Sequence, residues 1–191
     1  MRRRAPGRVA LLAALSLAFA DGAAADPCGT APIRAVAGAV AVWSPLVRGG
    51  LAARDGTIRL AAIALAGQLR SEADQAAGWG LSTIPDAIRR DLDGRVPDDV
   101  MDAARWRVGP ARSVLLRLLF GPGDAIAVAL GETIVFRDVA RAADTPLWAH
   151  ELEHVAQHRR LGPLGFAEAY VRCPGRMEAE ARAAARRVAG N

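Results

Sequence analysis

Lysine is missing altogether: the 25 basic residues of this 191-residue chain are all arginine. They form no stripe interleaved with aromatics, so the formal charge of +5 marks a compositional bias and excludes a nucleic-acid-binding face. Aromatic residues make up only 5% of the chain, with a single tyrosine, Tyr170. Two cysteines are too few for a disulfide-dense scaffold, and the apolar content is enough for one core and not for two. After the N-terminal segment no stretch is long and uncharged enough to span a bilayer, which excludes stable membrane insertion of the remainder. Histidine is scarce too, and all three lie within nine residues of one another, at 150, 154 and 158.

What is present starts with a leader. Arg2, Arg3, Arg4 and Arg8 precede a largely apolar run, Val9 to Ala20, followed by the small residues Ala23, Ala24 and Ala25. This is the pattern of a secretory signal peptide over residues 1–25, cleaved after Ala25 or, alternatively, after Ala20. Residues 26–191 then form a single domain, secreted or periplasmic and monomeric, with a formal charge lowered to +2 by loss of four arginines and Asp21. In an oxidising compartment Cys28 and Cys173 are expected to pair, which would close a long loop and add about 4 to 5 kcal/mol in the chain-entropy picture.

The chemistry is concentrated in TPLWAHELEHVAQHRR, residues 145–160. Thr145 suits an N-cap, Pro146 a first turn, and Gly162-Pro163 a stop, so this reads as one helix of about four turns. His150, Glu151 and His154 stand in the spacing HExxH. Positions i and i+4 share a helix face, so the two imidazoles can meet one tetrahedral zinc ion, and Glu151 can take a proton from water as general base. His158 continues that face, but a rise of about 12 Å from His150 removes it as a third ligand of the same ion. A second helix, Gly175 to Ala189, offers Glu178 and Glu180. The two are 200° apart on the helix, so only one of them should face the HExxH helix, and periodicity leaves open which. Tyr170 is a candidate donor to an oxyanion, because no histidine is left for that task.

Upstream, residues 26–54 carry little pattern. A covering helix is expected over Thr57 to Ala77, short helices over Pro85 to Leu92 and Pro97 to Ala104 with solvated acidic faces, a short strand at Trp106 to Val108, and an apolar helix over Ala111 to Phe120. Ala125 to Leu130 and Thr133 to Arg137 flank Gly131-Glu132 and predict a two-stranded hairpin leading directly into the HExxH helix. A further helix follows at Pro163 to Arg172. The fold class is α+β and mostly helical. In zinc peptidases of this layout an edge strand above the site lets an extended peptide add by main-chain hydrogen bonds.

The run Ala125, Ala127, Gly131, Ile134, Phe136, then Leu147, Ala149, His150, Glu151, Leu152, His154, Val155 and Gln157 resembles a family of metallopeptidase-like domains of formally unknown function. Its pattern reads AxAxTxGxxIxF, a spacer, then LxAHELxHVxQ, and some members are associated with extracellular contractile injection systems. The strong likeness covers residues 125–158, with weaker echoes in IPDAIRRDL, DDVMDAARWRVG and LGPLGFAEAYV. It implies a gluzincin-like core in which Glu178, in EAEAR, is the glutamate ligand. Two positions depart from the pattern: Ala129 stands where the family has threonine, and Arg182 where gluzincins place an aspartate that orients a ligating histidine.

The expectation is therefore an exported zinc metalloendopeptidase that hydrolyses peptides or proteins. One zinc ion per chain would be held by His150, His154 and Glu178, with Glu151 and Tyr170 as catalytic groups. The alternative is a zinc-stabilised binding module, weak or inactive in catalysis, for a secretion or envelope partner.

Overall fold

The computed structural model describes residues 54–110, 113–120 and 125–190, so the expected leader and Cys28 lie outside the described residues. Helix α1, Arg54–Ala77, is followed by α2, Asp86–Leu92, and α3, Asp98–Ala103, which leads into strand β1, Arg105–Val108. After α4, Val114–Phe120, the hairpin β2, Ala127–Leu130, and β3, Thr133–Phe136, precedes a single-turn helix α5, Val139–Ala142. Helix α6, Thr145–Arg172, and α7, Pro174–Ala189, complete the α+β, mostly helical fold.

Three strands form the sheet, in the order β1-β3-β2, rather than the expected two. Strand β1 runs parallel to β3, from Arg105 opposite Thr133 to Val108 opposite Phe136, and β2 pairs antiparallel through the turn at Gly131-Glu132. Gly131 takes φ 68°, a left-handed conformation that glycine reaches without steric cost. A side chain there would also press on the His158 ring, with Cβ 3.2 Å from its Cε1. All four residues of β3 are buried, as an apolar central strand covered on both faces requires.

Alternation along the hairpin divides the interior. Val128, Leu130 and Val135 join Ile58, Leu65 and Leu69 of α1, with Leu116 and Leu119 of α4. Ala127, Ile134 and Phe136 face the other way, onto Ile88 and Leu92 of α2, Val100 and Met101 of α3, and Trp148, Leu152 and Val155 of α6. The period of two in the strand meets the i, i+4, i+7 spacing of the helix. Trp148 is fully buried; its ring centroid lies 4.6 Å from that of Phe136 and 5.4 Å from that of Trp106, and its indole N–H donates to the Ala142 carbonyl at 2.8 Å. Helix α5, not expected from the sequence, is what supplies that acceptor.

Several boundaries differ from expectation for local reasons. Asp144, not Thr145, caps α6, its carboxylate accepting from the Leu147 N–H at 3.3 Å. Pro85 and Pro97 precede their helices as caps instead of opening the first turn. The expected stop at Gly162-Pro163 is a kink within α6: Gly162 has φ 70°, ψ 166°, and the chain resumes helix at once. That conformation is essentially glycine's alone, and the following proline cannot donate into the previous turn. Asp86, Asp91, Asp98, Asp99 and Asp102 are exposed, as solvated faces. Cys173 is disulfide-bonded, while its expected partner lies outside the described residues. Among the described residues no helix is long and apolar enough to cross a membrane.

Replacing Trp148 by alanine removes the shared ring of the second cluster and should lower unfolding free energy by about 3 to 5 kcal/mol, read from urea denaturation.

Candidate metal centre

The first arm of α6 places His150 and His154 one helical turn apart, their ring centroids 5.0 Å apart. Helix α7 brings Glu178 between them. Its Oε2 lies 3.4 Å from His150 Nε2 and its Oε1 3.4 Å from His154 Nε2, and the three donor atoms lie within 4.8 Å of one another. Two donors each about 2.1 Å from one tetrahedral ion sit about 3.4 Å apart, so the spacing of this donor set fits a divalent cation. The chemistry of the set agrees: two imidazoles and one carboxylate, a combination suited to zinc and its neighbours.

Burial makes the electrostatics severe. Glu178 is 2% exposed and Glu151 3%, both in the interior beside the two histidines. Burial opposes charge on Glu178, but hydrogen bonds with His150 and His154 outweigh it and hold its carboxyl far below the usual range. His154 shows the reverse balance. Burial would lower its pKa, yet the hydrogen bond and charge of Glu178, with Glu151 and Gln157 adding, raise it to about 9. Glu151 is pushed up by burial, against the pull of His150 and His154 and a backbone hydrogen bond from Ala129.

Tyr170, on the second arm of α6, donates its hydroxyl to Glu178 Oε1 at 2.8 Å, and its ring stacks on Phe166. Burial and the neighbouring Glu178 charge raise its pKa well above the ordinary phenol value, so it is a fixed donor. The structure thus brings together His150, Glu151, His154, Tyr170 and Glu178. It leaves His158 apart: that ring packs against Gly131 and Phe166, and burial lowers its pKa against the opposing charge of Glu132.

The expectation that only one of Glu178 and Glu180 addresses the HExxH helix needs correction. Glu178 meets the histidines, but Glu180 also reaches that helix, accepting from Gln157 Nε2 at 2.9 Å and pairing with Arg160 at 3.5 Å. A glutamate at the flank of a helix contact is long enough to reach round it, which helical angle alone does not capture. Gln157 is the residue whose function went unassigned in the sequence. It is fully buried, its Oε1 lies 2.9 Å from His154 Nδ1, and its Nε2 also donates to the Met177 carbonyl at 3.1 Å. Arg182, where the resemblance leads one to look for an orienting aspartate, is exposed.

The cavity at the site is small, about 40 Å³, and lined by Glu151, His154, Tyr170 and Glu178 on its polar side. Leu65 and Leu69 of α1, Val128 and Ala129 of β2, and Phe166 close the remainder. Helix α1 is held there by Glu72, which is buried and receives hydrogen bonds from Gln68 at 2.7 Å and from Ser113 at the start of α4.

Among known proteins, residues 83–162 match the family model of the eCIS core domain, a match that supports association with extracellular contractile injection systems. The matched stretch runs from just before α2 to the kink of α6 and includes neither α1 nor Glu178. No curated protein and no solved structure matches the chain.

Divalent cations should raise the unfolding temperature of the chain. At a hundred times Kd the gain should be about 2.7 kcal/mol, with Glu178→Ala abolishing it and Tyr170→Phe reducing it, as followed by calorimetry.

Proposed function

We propose that the chain is an exported, gluzincin-like zinc metallopeptidase that hydrolyses peptide bonds. The observation that carries this reading is the approach of His150, His154 and Glu178 to within 4.8 Å of one another, with Glu151 lining the same cavity as His154 and Glu178. His150, His154 and Glu178 would hold the ion, leaving a position open for substrate and water. When bound, zinc supplies Lewis acidity to a carbonyl oxygen and acidity to water. Glu151 then does the proton work: it accepts a proton from water as the water oxygen bonds to the scissile carbon, and returns it to the amine nitrogen as the C–N bond breaks. Atoms balance as one water consumed and one carboxylic acid and one amine formed, which ionise together to carboxylate and ammonium. Tyr170 holds Glu178 in register, and it must release that carboxylate before it can donate to a substrate oxyanion.

Access is the constraint on this chemistry. A cavity of about 40 Å³ holds a few waters, whereas ligand pockets run to roughly 300 to 1,000 Å³. Leu65 and Leu69 of α1 fill space beside Val128 and Ala129 of the edge strand β2, where an extended peptide would add. Turnover therefore requires α1 to move. The same closure favours a second reading, in which the centre is a zinc-stabilised binding module for a partner in an injection or secretion system, consistent with the eCIS core match.

Purified chain should contain about one zinc by mass spectrometry. Glu151→Gln should abolish cleavage of an unfolded protein substrate while retaining the metal; a zinc-loaded, oxidised chain that cleaves nothing would leave the binding module standing. Loosening α1 with Leu65→Ser and Leu69→Ser should raise the association rate of a peptide hydroxamate by tenfold or more, measured by fluorescence anisotropy, with zinc content unchanged.

A further inference from the structure

The orientation of the Gln157 amide follows from its neighbours. Its nitrogen faces the Met177 carbonyl at 3.1 Å and a Glu180 carboxylate oxygen at 2.9 Å, and both of these only accept. Turning the amide over would set oxygen against oxygen at both contacts, a repulsion in place of two hydrogen bonds. The amide oxygen must therefore point at His154 Nδ1, 2.9 Å away, and Nδ1 must be the protonated nitrogen of that ring. Nε2, 3.4 Å from Glu178, is then the nitrogen that gives up its proton when the ring becomes neutral, and its lone pair is the one a cation takes.

We propose that Gln157, locked by Glu180 and the Met177 carbonyl, is the positioning residue that selects the metal-binding tautomer of His154, replacing an aspartate at 182. The inference rests on the reading of the site as a cation centre. The spacing makes it economical: Gln157 is three residues after His154 on the same helix face, and Glu180 is two residues after Glu178 on α7. One helix contact thus delivers a ligand and the lock for a second ligand. An amide also differs from a carboxylate in what it does to the ring. It fixes the tautomer without placing a full negative charge on Nδ1–H, so the imidazole donates less charge and a bound cation keeps more Lewis acidity. On the Nδ1 side the carboxylate of Glu180 stands behind the amide and is shared with Arg160.

The test uses the full chain and cobalt(II) as probe. Gln157→Leu should weaken cobalt binding by about 10- to 100-fold and alter the visible d–d bands of the bound ion. Gln157→Glu alone should also weaken it, because the new carboxylate meets Glu180 and the Met177 carbonyl. Combining it with Glu180→Gln, which turns the second acceptor into a donor, should restore affinity to within a fewfold of wild type. Nitrogen-15 NMR of the metal-free chain, with the ring neutral, should show His154 protonated at Nδ1 in wild type and in the double variant, and a mixture in Gln157→Leu. Unchanged cobalt affinity, bands and tautomer in Gln157→Leu would overturn the proposal, as would the failure of Glu180→Gln to rescue Gln157→Glu. Should wild type bind no cobalt, the cation reading itself fails, and the NMR tautomer still decides the role of Gln157. Should Gln157→Leu not fold, the Gln157→Glu and Glu180→Gln pair carries the test.

Discussion

A carboxylate buried among two imidazoles and a phenol is the constraint on which the rest of the structure depends. Glu178 is 2% exposed, and a lone ionised carboxylate in such a place would cost several kcal/mol. It is tolerated because His150, His154 and Tyr170 all present polar atoms to it within 3.4 Å. Each of these partners in turn demands its own placement. His150 and His154 require one uninterrupted helical turn, Tyr170 requires a second arm bent at Gly162, and Glu178 requires α7 to return alongside. Removal of any one partner leaves an uncompensated group in the interior, a loss of about 3 to 5 kcal/mol for a buried pair. Stability and site geometry are therefore the same problem in this part of the molecule.

The kink at Gly162 shows how local backbone rules serve that arrangement. A straight helix from Thr145 to Arg172 would carry Tyr170 about 24 Å along the axis from His154, out of reach of any shared partner. At Gly162 the ψ of 166° redirects the chain, so that Phe166 and Tyr170 come back against the His154 ring, with centroids 6.4 and 6.3 Å away. A second break at Cys173 turns the chain into α7. The disulfide at Cys173 fixes this corner, which lies immediately before the helix that carries Glu178.

Legibility in the sequence followed the range of the interactions. His150, Glu151 and His154 could be read because their geometry is a property of one helical turn, and the hairpin because Gly131-Glu132 between apolar runs is equally local. Glu178 lies 24 residues beyond His154, and its selection over Glu180 came from resemblance to a family, since helical angle could not decide. The parallel pairing of β1 with β3 spans the α4 and β2 segments, and nothing in RWRV specifies so distant a partner. Asp144 displaced Thr145 as the cap because either residue suits the position, and the chain entry from α5 decides between them. Gln157 was visible in a motif, but its purpose depends on the Met177 carbonyl and Glu180, which only the packing of α7 brings into view.

Helix α1 poses the opposite situation to the buried carboxylate, because its attachment is mostly apolar. Ile58, Ala61, Ala62, Leu65 and Leu69 belong to a cluster with the sheet, α4 and the second arm of α6, and polar anchors are Glu72 with Ser113 and the Ala76 carbonyl with Arg107. Apolar contacts hold a helix without fixing it to one register as a hydrogen-bonded network does. The segment after it, Gly78-Trp79-Gly80, ends in a glycine at φ 85°, a conformation open to few other residues. The eCIS core match begins at residue 83, beyond this turn, and takes in His150, Glu151 and His154 but not the helix that covers them. Displacing α1 would break few polar contacts while leaving the compensated cluster of His150, His154, Tyr170 and Glu178 intact. The division of labour is thus physical: charge pairing and hydrogen bonds hold the centre together, and hydrophobic packing holds its cover.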